Sequence, residues 1–479
     1  MDKKKMKKLD GVKGTIRAIE GILEVFLLTV AYYFVWRQGY DQGIFPTYFG
    51  NGKYVLAGVY AALVFFLVYN YDGFEFGYLK LFDVVISQWI ALFIVNFITY
   101  WQLCLIANVV ITPVPLLVLL LIEYAICLIC VYVFTTIYHR LYVPKNMVMI
   151  FGTETAVGLK FKMETREDKY AIRKLIPADA GFEKICQQIV EYDAVVISDV
   201  PAQIRNDILK FCYEHQVRTY VTPKISDIIV RGARDISLFD TPLLLVRSKG
   251  LTVTQRALKR GLDILLSAIA MIPAAPVMLL VALAIKLEDG GPVFYTQKRA
   301  TLGGKEFDIL KFRSMIVDAE KEGHSIPATG RDPRITRVGH VIRATRIDEL
   351  PQILNILKGD MSIVGPRPER LEHVCEYSKE IPEFSYRLKV KGGLTGYAQI
   401  YGKYNTSPYD KLRLDLMYIE NYSLMLDIKL ILMTIRIMLS KESTEGFDVA
   451  QELERKTHEI LEEVSHEQEV QKDPVGAGK

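Results

Sequence analysis

The stretch "VIRATRIDELPQILNILKGD" places two adjacent carboxylates, Asp348 and Glu349, just after two arginines, Arg343 and Arg346. Leu350, Ile353, Leu354 and Leu357 form an apolar face at helical spacing, and Gly359 suits the end of a helix. The spacing therefore predicts a short helix over Glu349–Leu357, with Asp348 as its N-cap and Pro351 in its first turn. Two readings fit these residues. Asp-Glu at a helix start is ordinary capping. A helix start also attracts phosphate and favours an ionised carboxylate. Neighbouring helical residues project about 100° apart, so the two carboxylates would do different jobs at one phosphate: one attacks it, the other holds its metal ion.

Two further stretches supply cations. "EFDILKFRSM" alternates as a strand does and places Phe307, Ile309, Lys311 and Arg313 on one face. Such a face is ordinarily a solvated strand end; it also suits aiming positive charge at a phosphate. In "GDMSIVGPRPE", Pro366 and Pro368 fix φ on both sides of Arg367. A stiff turn of this kind holds a guanidinium still for bidentate phosphate recognition. "KGGLTGYAQIYGK" is a glycine-rich turn before a predicted strand, fit either to cradle a ligand or merely to turn the chain. Its Thr395, Gly396 and Gln399 are candidate substrate contacts.

The elements that must carry these groups are membrane elements. The chain has 479 residues, 51% of them hydrophobic, and a mean hydropathy of +0.18, too apolar for an ordinary soluble enzyme. Apolar blocks occupy Thr15–Trp36, Tyr54–Asn70, Leu81–Ile106 and Pro113–Tyr142. The first is too late and too long for a cleaved signal peptide. "MDKKKMKKLDGVKGTIR" carries seven Lys/Arg ahead of it, and His139, Arg140 and Lys145 follow or end the fourth. The intervening loops are poor in Lys/Arg, so both ends of the four-span unit are expected in the cytoplasm. Tyr32, Tyr33, Trp36, Tyr100 and Trp101 crowd the span ends, as interfacial belts do.

A fifth block, "DILLSAIAMIPAAPVMLLVALAIK", is uncharged for the 22 residues Ile264–Ile285. Pro273 and Pro276 leave an arm of nine residues on either side, each ~14 Å as helix, about half the hydrocarbon thickness. Arg256, Lys259 and Arg260 precede the block and Lys286 follows it. The expectation is a re-entrant hairpin at 262–286, broken at the prolines, rather than a kinked fifth span. "SLMLDIKLILMTIRIML", punctuated by Asp427, Lys429 and Arg436, suits an interfacial amphipathic helix.

Between the membrane parts, "NMVMIFG", "DAVVISDV" and "VRTYVTP" read as strands and "AQIRNDILKFCYEHQ" as a helix, which suggests a small parallel α/β domain. Its first turn, "FGTETAVG", breaks the dinucleotide glycine pattern and places Glu154 where a pyrophosphate would sit, so nucleotide binding is not expected there. The net charge of +4 and the absence of a basic tract interleaved with aromatics give no support for nucleic-acid binding. Six scattered cysteines make no disulfide framework, and none has zinc spacing outside the apolar pair Cys127/Cys130, which read as lipid- or helix-facing residues.

From Leu251 to Leu439 the proline-interrupted block, "PVFYTQKR", "FDILKFRSM", "IRATRIDELPQ", "NILKGDMSIVGPRP", "GGLTGYAQIYGK" and "RLDLMYIENYSLMLDIKLI" follow in order. This succession resembles the catalytic unit of the bacterial sugar transferases, the monotopic polyprenol-phosphate phosphoglycosyl transferases. The spans and α/β domain ahead of it resemble the large form, which initiates exopolysaccharide or capsule repeat units. The resemblance implies a membrane protein with four regions. These are a transmembrane four-helix unit (1–145), a Rossmann-like α/β domain (146–247), an α+β catalytic domain anchored by the hairpin and interfacial helices (248–440), and a charged tail (441–479).

It implies transfer of a sugar-1-phosphate from a UDP-sugar to undecaprenyl phosphate, with release of UMP. The catalytic pair falls on Asp348 and Glu349, the phosphate-binding cations on Lys311, Arg343 and Arg367, and the membrane break on Pro276. The sequence departs from the family pattern at Ala275, usually Ser, and at Lys391, Gly392, Tyr397, Tyr401 and Lys403. A carboxylate survives as an acyl phosphate, and Mg2+, the expected cofactor, binds carboxylates together with substrate phosphates; Glu349 is its expected ligand. Expected partners are the two substrates and membrane lipids, with a homo-oligomer compatible. The expected place is the bacterial plasma (inner) membrane, with the catalytic domain cytoplasmic. Two alternatives are a membrane-anchored nucleotide-sugar dehydratase or epimerase, for which Tyr170 and Lys174 have the right spacing but follow the glycine turn too soon, and a non-enzymatic membrane scaffold.

Overall fold

In hydrocarbon a backbone must satisfy its own hydrogen bonds, so long apolar runs become helices. Four such helices open the chain: α1 (Lys3–Gly39), α2 (Gly52–Asn70), α3 (Leu81–Ala107) and α4 (Val114–Leu141). Each contains a stretch long and apolar enough to cross a membrane. The computed structural model describes residues 3–40, 51–142, 144–246, 250–317, 319, 332–402 and 406–439; the tail read at 441–479 lies outside them. Phe26, Phe34, Phe93 and Leu121 are exposed on the bundle exterior, as lipid-facing residues are. Its interior is not purely apolar. Glu20, Glu24 and Glu123 are buried there with Gln88 and Asn96. Gln88 Nε2 donates to Glu24 Oε2 (2.9 Å) and to the Gly73 carbonyl (3.0 Å). Asn96 Nδ2 donates to Glu123 Oε2 (2.6 Å), and the Tyr60 hydroxyl donates to Glu123 Oε1.

A parallel α/β layer follows: β1 (Lys145–Phe151), α5 (Glu154–Glu164), β2 (Tyr170–Pro177), α6 (Phe182–Ile189), β3 (Ala194–Ser198), α7 (Ala202–Glu214) and β4 (Arg218–Val221). The strand order is β2-β1-β3-β4, all parallel. Strands covered on both faces are continuous apolar runs, and β1 and β3 are. Val148, Ile150, Val195 and Ile197 pack on one face with Ile185, Ile189 and Ile208; Met147, Met149 and Val196 pack on the other with Val157 and Ile172. Gly152, in the turn that breaks the nucleotide pattern, is required by the end of β3, since a Cβ there would lie 2.3 Å from the Asp199 carbonyl oxygen. The layer is fastened to the bundle at the α2–α3 loop. Arg166 donates to the Tyr78 and Gly77 carbonyls, and Lys169 lies 4.0 Å over the Tyr78 ring; within the bundle, Arg17 of α1 pairs with Glu75 of the same loop at 2.8 Å.

The chain's contacts divide it into two compact units at Thr222/Pro223, inside the stretch read from sequence as the α/β domain. The second unit contains α8 (Ile225–Arg231), the exposed hairpin β5 (Arg234–Leu238) and β6 (Thr241–Leu245), α9 (Val253–Asp289), and the antiparallel pair β7 (Phe294–Ala300) and β8 (Glu306–Phe312). It continues with α10 (Arg337–Ala344), α11 (Gln352–Lys358), β9 (Ser362–Val364), α12 (Leu371–Glu380), β10 (Gly393–Thr395), α13 (Tyr397–Tyr401), α14 (Pro408–Glu420) and α15 (Leu424–Leu439). Ile225 and Ile228 of α8 belong to its core beside Leu412, Leu416 and Phe384.

The helix α9 runs as one element through Pro273 and Pro276; the prolines do not divide it into two. One stripe along it is buried or packed: Lys259, Asp263, Ser267, Ala274 and Ile285 are buried, and Met278, Val281 and Ala282 pack on Phe312 and Ile342. Leu265, Ile269, Ile272, Leu279, Leu280 and Leu283 are exposed. Both ends are tied to the same unit. Lys259 Nζ meets Asp427 Oδ2 of α15 at 2.7 Å and the Tyr418 hydroxyl at 3.0 Å. Asp263 Oδ1 accepts from Ser362 Oγ (3.0 Å) and the Ile363 N–H (2.9 Å). At the far end Asp289 pairs with Arg313, and Glu288 accepts from the N–H of Arg337 (2.7 Å).

Breaking a buried ion pair by removing one partner strands the other charge and costs about 3–5 kcal/mol, whereas replacing both with apolar residues is far better tolerated. Lys259→Met should therefore lower the thermal midpoint of the detergent-solubilised protein strongly, and Lys259→Met with Asp427→Leu should recover much of the loss. A double variant less stable than Lys259→Met would show that the pair is not the lock between α9 and α15.

Candidate active site

After α10 the chain reverses at Arg346, a non-glycine residue at φ 59°, and a 3-10 turn covers Ile347–Glu349. The Leu350 N–H closes that turn on the Ile347 carbonyl at 3.1 Å. Pro351 has no N–H for the same carbonyl, so the α-helical pattern starts only at Gln352. Asp348 and Glu349 thus precede α11 in a tighter turn, and do not open it as predicted. Gly359 ends α11 at φ 100°, as read. Asn355, buried on α11, fixes the helix to β8: Nδ2 donates to the Asp308 carbonyl (2.8 Å) and Oδ1 accepts from the Leu310 N–H (2.9 Å). On β8, Phe307 and Ile309 enter a core with Ile356 and Met361. Lys311, next on that face, reaches the acid pair.

Three segments meet on one atom. Glu349 Oε1 accepts from Lys311 Nζ at 2.8 Å and from Arg367 Nη2 at 2.7 Å. Burial resists ionisation of Glu349, but the two cations prevail and hold it well below the usual carboxylate range. Asp348 shifts the opposite way. Burial and then the Glu349 charge push it up, with Lys311, Arg343 and Arg346 pulling back. Asp348 Oδ1 is buried without a hydrogen-bond partner among the described residues. Burial lowers the Lys311 ammonium, against the pull of Glu349. Adjacent carboxylates pushed apart in this manner are suited to separate roles.

Residues 254–441 match the sequence profile of the bacterial sugar transferases. A UDP-N-acetylgalactosamine-undecaprenyl-phosphate N-acetylgalactosaminephosphotransferase of Aeromonas hydrophila is 36% identical over 329 residues, 66% of this chain and 72% of the relative. This chain belongs to the bacterial sugar transferase family. A UDP-glucose:undecaprenyl-phosphate glucose-1-phosphate transferase of Caulobacter vibrioides is 44% identical over 191 residues, 39% of this chain and 71% of its own. One of Escherichia coli is 41% identical over 211 residues, 43% and 44% of the two chains. The chain is accordingly a transferase, and neither a dehydratase nor a scaffold. The Tyr170/Lys174 spacing lies on strand β2, where Lys174 Nζ donates to Gln188 Oε1 at 2.7 Å.

Of the residues read from the transferase sequence, Lys311, Asp348, Glu349 and Arg367 come together, with Arg343 close enough to act on Asp348. Arg313 does not join them. It lies past the end of β8 and is buried against α9, donating from Nε to the Pro292 carbonyl (2.7 Å) and from Nη1 to Asp289 Oδ2 (2.7 Å). Thr395 is hydrogen-bonded to Thr434 of α15 (2.6 Å), and the Gln399 amide donates to the Leu394 carbonyl (3.0 Å). Gly396 is required by a close approach, since a Cβ would lie 2.1 Å from the Gly365 carbonyl oxygen. This places the glycine-rich turn directly beside the strand that leads into Pro366. Asn355 was missed in the sequence; an amide inside an otherwise apolar helix face was its only signal.

Among the described residues no group of three or more His, Cys, Asp or Glu is arranged to hold a metal ion. Mg2+ needs only one or two carboxylates beside substrate phosphates. Both cations use Oε1 of Glu349, and the unpartnered Asp348 Oδ1 adds a second oxygen acceptor. An oxygen-only donor set of this kind fits that ion.

Glu349→Gln removes the neighbouring charge that raises Asp348 and releases Lys311 and Arg367, so the proton affinity of Asp348 must fall. Carbodiimide labelling of Asp348, which requires the protonated acid, should shift its midpoint to lower pH in this variant when followed by peptide mass mapping. A midpoint that stays or rises would contradict the coupling.

Proposed function

We propose that the transferase moves a sugar-1-phosphate from a UDP-sugar to undecaprenyl phosphate, releasing UMP, as a first membrane step of exopolysaccharide or capsule repeat-unit synthesis. The observation that carries the mechanism is the division between the paired Glu349 and the buried Oδ1 of Asp348, which has no hydrogen-bond partner among the described residues. The relatives' names supply the substrate classes, and the donor is proposed as a class because those relatives act on both N-acetylgalactosamine and glucose donors.

In the first step Asp348 attacks the phosphorus that bears the sugar. The new bond is an acyl phosphate; the bond from that phosphorus to the bridging oxygen breaks, and its electron pair leaves with UMP. In the second step an oxygen of undecaprenyl phosphate attacks the same phosphorus and returns the Asp348 carboxylate. Lys311, largely buried, and Arg367, both bonded to Glu349, stabilise charge on the transferring group, and Arg343 adds to the field. Mg2+, held by Glu349 and the substrate diphosphate, would cancel repulsion between the diphosphate and the attacking carboxylate.

The same reading sets the membrane geometry. UDP-sugars are cytoplasmic, the charge pattern around the four N-terminal helices favours cytoplasmic ends, and a fifth crossing would carry Asp348 outside. A packed stripe along α9 and ties from both its ends to one unit favour both ends of the helix lying at the cytoplasmic face of the plasma membrane.

Asp348→Asn should abolish UMP release even without the lipid acceptor, whereas retained release would sink the nucleophile assignment. Glu349→Gln should weaken the magnesium dependence; an unchanged magnesium titration argues against its metal role. Single cysteines at Gly261, where an added Cβ meets open space, and at the exposed Lys298 can be placed in a cysteine-free background. Both should resist a membrane-impermeant thiol reagent on intact cells and react in inverted vesicles. Labelling at 298 from outside would overturn the cytoplasmic site.

A further inference from the structure

The turn Pro366-Arg367-Pro368 has three carbonyls but one N–H, because proline donates none. A turn that poor in donors depends on donors brought from elsewhere, and each carbonyl has one. Pro366 O accepts from the Gly393 N–H at 2.9 Å. Arg367 O accepts from Arg387 Nη2 at 2.9 Å. Pro368 O accepts from Arg299 Nη1 at 3.1 Å. Two of these three donors are guanidiniums from segments distant in sequence, and neither contacts the acid pair.

Arg387 is itself tightly held. It is 3% exposed, its Nη2 lies 2.8 Å from Asp415 Oδ2 of α14, and its Nη1 lies 3.5 Å from Glu369 Oε1. Its guanidinium sits 4.9 Å over the Phe384 ring. Asp415 is also almost wholly buried. A planar guanidinium ion-paired with Asp415 and Glu369 and stacked on its face has a restricted direction. That direction points at the carbonyl of the one arginine that grips Glu349.

We propose that Arg387, oriented by Asp415, is a positioning residue for phosphoryl transfer: it fixes the backbone of Arg367, and Arg299 fixes the next carbonyl. Neither touches substrate. Both act by keeping the Arg367 guanidinium aligned with Glu349 and with the donor diphosphate. The proposal rests on the role given above to Arg367, and the test separates the two.

The variant Arg387→Met with Asp415→Leu removes the buried pair while keeping its volume, so the fold is retained. It is compared in the wild-type and Arg367→Ala backgrounds with kcat and KM for the UDP-sugar and the thermal midpoint as readouts. In the wild-type background kcat/KM should fall on the order of 10-fold or more, as misplacement of a reacting or binding group does, with a midpoint close to wild type. In the Arg367→Ala background the same change should cost less than about twofold, since no guanidinium remains to be aligned. Equal losses in both backgrounds would overturn the positioning role alone. An Arg367→Ala enzyme with undiminished kcat/KM would overturn the phosphate role of Arg367 and the positioning role with it. If the double variant does not fold, Arg299→Met tests the brace from the Pro368 side, with the same non-additive pattern expected and equal losses again overturning it.

Discussion

One oxygen, Oε1 of Glu349, receives hydrogen bonds from cations contributed by β8 and by the Pro-Arg-Pro turn. Charges removed from water are tolerated only where partners replace the water, and losing one partner strands the others. The meeting of Lys311, Glu349 and Arg367 therefore ties the proposed catalytic site to folding. The surrounding structure serves it: Asn355 locks α11 to β8, Pro351 delays the helix so that the acids sit in a tight turn, and Arg346 accepts a left-handed backbone to begin that turn. The same grip separates the two acids electrostatically. Glu349 is satisfied, and Asp348 keeps an oxygen in reserve.

The helix α9 organises the unit around this point. Within two turns, Lys259 reaches α15, Arg260 donates to the Ile356 and Leu357 carbonyls at the end of α11, and Asp263 holds the start of β9. The two loops proposed to carry the chemistry flank those elements: the acid pair precedes α11, and the Pro-Arg-Pro turn follows β9. A helix with an exposed apolar face is thus also the frame of the site. An exposed apolar face and the packing of the proposed site lie on opposite faces of one element.

Local pattern revealed what is locally determined. The four N-terminal helices, strands β1, β3 and β4 and helix α7 announce themselves by apolar runs and periodicity, and the sugar transferase motifs point to Lys311, Asp348, Glu349 and Arg367. Other features depend on partners far along the chain. "YAIRKLIP" becomes strand β2 because β1 is there to pair with it, although its charges obscure the alternation. Arg313 looks like its neighbour Lys311 on a strand face, yet the chain leaves β8 before it and Asp289 captures it. The proline pair in α9 suggests a break, but the helix continues as one element along a packed stripe. Arg299 and Arg387 carry no motif; their importance comes from two carbonyls that only the folded turn presents.

The buried carboxylates of the N-terminal bundle find their partners at different points along the chain. An acidic residue at the centre of an isolated helix costs on the order of 3 kcal/mol on entering the bilayer. Glu24 on α1 receives its amide from Gln88, 64 positions later in the chain, whereas Glu123 on α4 finds Asn96 and Tyr60 already made, 27 and 63 positions earlier. The first helix emerges from the ribosome before its partner exists, and the fourth arrives to a prepared groove. Glu24 therefore lacks its amide partner until α3 has been made, whereas Glu123 meets both of its partners at once.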